Sequence, residues 1–347
     1  MTQTDARPGQ PSGEGVRARF LKSGGGRIDR DEVRRRAGAA MMRNLPTFQE
    51  CPQTARTWAI IGGGPSIAGE LAAIRALKRQ GANVVSVNKS HDWLLEQGIV
   101  PWGHVLLDPK AWVAGYVQRP RMDVRYFVAS QCHDETFEAL KDYPVFLWHA
   151  GQDFDEGPEP NGYLREKWPR RPWFVVPGAT TVGLRAVQLG HAMGADRFHL
   201  FGLDSSRAGG CMHAYAKDEA PDALCGTLAL KYRGRKYVFD TNAHMARQQM
   251  DFDKLIEDLP KTRAAGLLRK GFELTVHGAG LLPFFAAMIG LHADPTCNAD
   301  AARVGGYVRC ERSEKEIVAE LMRRIFPHEA ANQSPPGQEG EACRKQT

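Results

Sequence analysis

The stretch Ala59-Ile60-Ile61-Gly62-Gly63-Gly64-Pro65-Ser66 constrains this chain more than any other. An apolar run from Trp58 ends in three glycines, a proline and a serine, and an amphipathic pattern follows at once. Ile67, Leu71, Ile74 and Leu77 share one helical face, and Gly81 is placed to end the helix. Strand, glycine turn and helix make the opening unit of a doubly wound α/β fold. The glycines let backbone approach a ligand, and Pro65 suits a first helical turn. Such a turn suits an anion, most naturally a phosphate, and equally a tight turn with no ligand. Two stricter phosphate motifs fail here. The dinucleotide fingerprint needs glycine where Ile67 stands, and a Walker A loop needs lysine where Glu70 stands.

The rest of the chain repeats the alternation. Strands are predicted over residues 83–88, 104–109, 125–130, 144–150, 173–176, 197–203 and 272–276, with helices over 93–98, 134–141, 182–193 and 242–259. Residues 151–172 and 205–226 read as loops, and residues 228–239 as a hairpin about Arg233-Gly234. The expected architecture is a Rossmann-like doubly wound α/β fold, a mainly parallel sheet with a hairpin insertion. It occupies residues 45–295. A basic, largely disordered segment (residues 1–44) precedes it, holding a short basic helix near residues 29–44. A helix and polar tail (residues 296–347) follow, the helix near Ser313 to Ile325.

Charge matters only by its location. The net charge is +6, and residues 1–44 hold ten basic against five acidic side chains, so the body is nearly neutral. A nucleic-acid-binding core is not expected; the basic segment reads first as solvated disorder, with nucleic acid or an acidic partner as the alternatives. No apolar run is long enough to span a membrane, and Met1-Thr2-Gln3-Thr4-Asp5 lacks a signal peptide's apolar segment. Seven cysteines without a CxxC pair read as free thiols, and the expected location is the cytoplasm.

Ligands of parallel α/β sheets bind beyond the carboxyl ends of the strands. Those ends carry Gly62, Gly63, Gly64, Pro65 and Ser66, then Asn88, Asp108, Thr180 with Thr181, and Asp204. Each alone also suits a cap or a turn; together they point to a ligand cleft. Asn88 stands where a NAD site wants an acid for the ribose, so hydride transfer is disfavoured. Thr180 and Thr181 can donate to a phosphate or sugar. Asp108 and Asp204 are the candidate metal ligands, for Mg²⁺. His213, on the loop after Asp204, is a candidate general base or phosphate partner, or a loop histidine with no role. Cys211, His213 and Cys225 match no standard zinc spacing. Lys231, Arg233, Arg235 and Lys236 on the hairpin either clamp an anion or form a solvated face.

These motifs in order, with Val87-Asn88, Leu107-Asp108-Pro109, Gly178-Ala179-Thr180-Thr181 and Phe201-Gly202-Leu203-Asp204, resemble one family over about residues 45–290. It is that of the archaeal 6-hydroxymethylpterin diphosphokinase-like proteins, which includes motility-associated glycosyltransferases. It is distantly similar to bacterial sialyltransferases that use a CMP-linked donor. The resemblance implies nucleotide binding at Gly62 to Ser66, Asn88 and Thr180/Thr181, and a role for Asp108 and Asp204. His213 falls roughly where the sialyltransferases carry a loop histidine base. The expected function is a transferase with a nucleotide or nucleotide-sugar donor. It moves either a glycosyl group to a small-molecule or glycan acceptor, or a pyrophosphoryl group from ATP to a pterin-like alcohol. No tightly bound organic cofactor is expected, and an oligomer is open. The alternative is a non-catalytic nucleotide- or sugar-binding module in a larger assembly.

Overall fold

The structure, a computed structural model, describes residues 28–47, 56–154, 157–178, 181–215, 226–232 and 235–294. The disorder expected before residue 28 and the helix expected near residues 313–325 lie outside these.

The core is an eight-stranded parallel sheet. Strands β1 (Arg56–Ile61), β2 (Asn83–Val87), β3 (Gly103–Leu106), β4 (Arg125–Ala129), β5 (Val145–Ala150) and β6 (Val175–Val176) run outward in chain order. The chain then returns to the other side of β1, where β7 (Ala195–Phe201) pairs with it and β10 (Glu273–Val276) adds beyond. A separate antiparallel hairpin joins β8 (Gly226–Tyr232) to β9 (Arg235–Thr241). The sheet is buried on both faces, which is why β1 reads as an unbroken apolar run. Trp58 and Ile60 enter one core cluster, while Ala59 and Ile61 enter the other.

The helices are α1 (Arg30–Met42), α2 (Leu71–Arg79), α3 (Ser90–Glu96), α4 (Asp134–Ala139), α5 (Asn161–Lys167), α6 (Val182–Ala192), α7 (Ala243–Ala264) and α8 (Leu281–Met288). Helix α6 crosses back from β6 to β7 and lies close against β1. A side chain at Gly190 would meet the Trp58 ring at 2.7 Å, so only glycine permits that approach. Helix α5 lies in a stretch expected to be loop. It forms because it is covered: Leu164 is buried, and Tyr163 sits against Gly38 of α1. Strand β6 shrinks to two residues because it pairs with β5 alone, at His149 and Ala150.

Helix α1 begins at an N-cap, with the Asp29 carboxylate accepting the Glu32 N–H at 2.8 Å. It buries Val33, Ala37 and Met41 against the body. Its arginines are engaged as well. Arg30 and Arg34 both donate to one oxygen of Glu159, which is 2% exposed. Arg36 donates to the carbonyls of Pro109 and Gln131, and Arg43 pairs with Asp134 and Glu138. Much of the basic charge that the sequence leaves for a partner is therefore spent on the protein itself.

Glu159→Gln is expected to loosen the first turn of α1 and to cost about 1–2 kcal/mol. That is less than a fully buried pair would lose, because both arginines reach solvent. Hydrogen exchange at the Val33 amide reads this directly; unchanged protection there would refute it.

Candidate functional site

The sheet order reverses between β1 and β7, so the crevice above their carboxyl ends is the topological switch point. The glycine loop and Asp204 meet there. The Gly62 N–H donates to the Phe201 carbonyl at 2.7 Å, and the Gly64 N–H to the Gly202 carbonyl at 2.8 Å. Pro65 has no N–H. The Ser66 N–H and hydroxyl then donate to the two oxygens of Asp204, at 2.7 and 2.6 Å. The expectation that these loop amides face an external anion is thus corrected for Gly62, Gly64 and Ser66. Two amides splice the loop to β7, and the third is capped by the protein's own carboxylate. The loop also leads into a 3-10 turn (Pro65–Glu70), with α2 starting only at Leu71. The dipole of a full α-helix does not begin at the glycines.

Asp204 is 3% exposed, and burial pushes its carboxyl up to about 6, against the pull of the two Ser66 hydrogen bonds. A third segment holds it. The Leu282 N–H donates to the Asp204 carbonyl at 3.1 Å, and the Leu281 N–H to the Ser206 hydroxyl at 3.2 Å. Beside it, burial and the neighbouring His199 and His292 hold the His277 imidazole down to about 3. Its Nδ1 lies 3.7 Å from the Glu70 carboxylate.

The other side of the loop is covered by residues 211–215. The Ala214 N–H donates to the Gly63 carbonyl at 3.0 Å, and the His213 and Tyr215 rings stack at 5.1 Å. A side chain at Gly63 would strike the Tyr215 hydroxyl and come within 2.8 Å of His213 Cδ2. His213 is therefore brought to the glycine loop. Tyr215 comes with it, and sequence reasoning missed it. Its only signal was proximity in sequence: Tyr215 lies two residues from His213 in a bend and turn that bring both rings to Gly63.

Helix α6 delivers the next piece. A side chain at Gly183 would meet Leu203 at 2.5 Å, so the helix begins beside the residue preceding Asp204. Thr181 is its N-cap residue but makes no side-chain capping bond, and its Oγ1 is buried without a partner. The first-turn amides of Val182, Gly183 and Leu184 have no hydrogen-bond partner among the described residues. The anion-ready helix start of this fold is that of α6. Thr180 lies outside the described residues.

Asn88 ends β2 in the left-handed region at φ 51°, and its Oδ1 is buried without a partner. Asp108, at the end of β3, accepts the Lys110 N–H at 3.0 Å, and burial raises its pKa. The ends of β3 and β7 are three strand spacings apart, about 14 Å. One ion held by both Asp108 and Asp204 does not fit that separation. No three His, Cys, Asp or Glu side chains among the described residues gather to hold a metal ion. Of the two carboxylates, Asp204 has both oxygens on Ser66, and Asp108 has one on Lys110. The hairpin clamp stays open: Lys236 is exposed, while Arg233 and the side chains of Lys231 and Arg235 lie outside the described residues. Cys211 is a free thiol; Cys225 lies outside the described residues.

Residues 39–209 match the family described as 6-hydroxymethylpterin diphosphokinase MptE-like. Among solved structures, a MAf glycosyltransferase from Magnetospirillum magneticum AMB-1 is similar at a TM-score of 0.52 and 15% identity. The match covers 92% of this chain and 48% of that one, so this chain spans about half its length. A mammalian sialyltransferase in complex with Gal-beta-1-3GalNAc-ortho-nitrophenol is similar at a TM-score of 0.32 and 10% identity, over 72% of this chain and 78% of that one. No curated protein matches the sequence. The likeness to the MAf glycosyltransferase is one of fold. Among the described residues no helix is long and apolar enough to cross a membrane.

Proposed function

We propose, for a chain whose residues 39–209 match the MptE-like family, a transferase that takes a nucleotide-linked donor at the switch point. One observation supports this reading above the rest. Around the end of β1, hydrogen-bonding groups stand without partners among the described residues: the Thr181 hydroxyl, the first amides of α6 and, one strand on, the Asn88 carbonyl oxygen. Buried polar groups are rarely left so, and a ligand is a ready explanation.

The donor's phosphate lies against the start of α6, where Thr181 and three amides donate to it. Asn88 accepts from a ribose hydroxyl. His213, held on the glycine loop beside Tyr215, takes the acceptor's proton or steadies the departing phosphate. Asp204 fixes Ser66 and the loop, and contributes its charge to the transfer. Mg²⁺, where the donor needs it, would be carried on the donor phosphates, with Asp108 standing at the end of β3, two strand spacings from β1. Glycosyl transfer and pyrophosphoryl transfer share this arrangement; the donor separates them.

A thermal-shift panel of ATP, GTP, CMP, UDP-sugars and CMP-sialate, with and without Mg²⁺, tests the reading. A ligand bound by the folded state alone raises Tm by mass action, so at least one nucleotide is expected to do so. A flat panel would overturn nucleotide binding. A shift without product on incubation with acceptors would leave a binding module instead.

A further inference from the structure

We infer that Trp112 is the platform on which the nucleobase of the donor stacks. This rests on the nucleotide reading above. A 3-10 turn (Ala111–Tyr116) follows directly on Asp108 and Pro109, at the carboxyl end of β3. It presents Trp112 at 63% exposure, although a ring that large is costly to leave in water. The ring is held in place. Lys110 Nζ sits 5.4 Å from its centroid, and Tyr116, beside it, carries Lys89 Nζ at 5.5 Å from its own ring. A cation near the indole and an exposed ring surface together make a stacking platform, since a base offers its π-face whatever its identity.

Strand order sets the position. Gly63 ends β1, Asn88 ends β2 and the Trp112 turn follows β3, each one strand spacing of about 4.8 Å from the next. A nucleoside phosphate has three parts in the same sequence and at similar intervals: phosphate, ribose, base. With phosphate near β1 and ribose at Asn88, the base falls at the end of β3. Asn88 supports this register independently, because its buried oxygen lacks the donor that a ribose hydroxyl supplies. The ammonium groups of Lys89 and Lys110, each near one of these two rings, suit electron-rich ring oxygens and nitrogens.

Calorimetric titration of the full chain with CMP, UMP, AMP, GMP and ribose 5-phosphate tests this. At least one nucleotide is expected to bind at least tenfold more tightly than ribose 5-phosphate. Trp112→Ala is expected to erase that advantage and leave ribose 5-phosphate binding unchanged, while Trp112→Phe keeps most of it. The exposed position lets the fold tolerate both changes, and a thermal melt of each variant verifies that. A Trp112→Ala protein that keeps the full advantage overturns the inference and leaves the nucleotide reading standing. So does a wild type that binds nucleotides no better than ribose 5-phosphate. A wild type that binds none of the five overturns both.

Discussion

Asp204→Asn is expected to lower turnover about 100- to 10 000-fold while leaving the protein at least as stable as wild type at pH 7.5. The range is what a carboxylate that moves or compensates a proton contributes to a transfer step. The stability half follows from the surroundings. An asparagine in the same place still accepts the Ser66 N–H, and its amide can donate to the Ser66 hydroxyl, so neither partner is stranded. It also removes a charge that burial disfavours. The Asp204 carboxyl is pushed up to about 6 in the fold, against about 3.9 in an unfolded chain. Between those values the folded state binds more protons than the unfolded state, so stability falls as pH rises and is fully lowered above about 6. The difference is on the order of 2–3 kcal/mol. Asp253, which burial also raises to about 6, contributes over the same window. Denaturant melts from pH 4 to 7.5 should therefore show a downward slope in wild type and roughly half of it in Asp204→Asn. Turnover in wild type should rise with pH through about 6, and the variant should lack that limb. An active Asp204→Asn would reduce the residue to a structural pin.

The sheet was legible because its strands are buried on both faces and separated by strong turn signals. Residues 56–61, 83–87, 125–129 and 145–150 lie where apolar runs bounded by glycine, proline or polar residues predict strands. The glycine loop, Asn88, Asp108 and Asp204 sit at strand ends as read, since a strand end is a local property of sequence. What was not legible is long-range. Nothing near Ser66 announces that its N–H is capped by a carboxylate 138 residues away. A carboxylate 125 residues from Arg34 likewise docks α1. Helix α5 depends on cover from α1, and α8 follows a glycine turn without a capping side chain. The glycine count in the loop was read as room for a ligand, whereas two of the three glycines make room for β7. The helix start whose first amides have no partner among the described residues follows Thr181, in a turn with one glycine where the first has three.

Gly64→Ala should be strongly destabilising, and its backbone explains why the cost is one of contact alone. Gly64 has φ −58° and ψ 152°, a conformation open to alanine, so no conformational penalty arises. The added carbon would stand 2.6 Å from Asp204 Cγ and 2.8 Å from the Gly202 carbonyl oxygen. The first is a buried side chain held at both oxygens, and the second is backbone that accepts the Gly64 N–H itself. Neither can retreat without breaking the splice between β1 and β7. Overpacking of this kind costs about 1–3 kcal/mol, a fall in Tm of about 5 °C for a domain of this size. Because the yielding group is Asp204, turnover should fall with it. Two other glycines calibrate the result. Gly69→Ala points into open space within the 3-10 turn and should change Tm by less than about 1 °C. Gly81→Ala also has open space but sits at φ +90°, so it should lose about 1 kcal/mol with turnover intact. If Gly64→Ala melts with wild type, Asp204 and the glycine loop are not pressed together as they stand here, and the site built on their meeting falls.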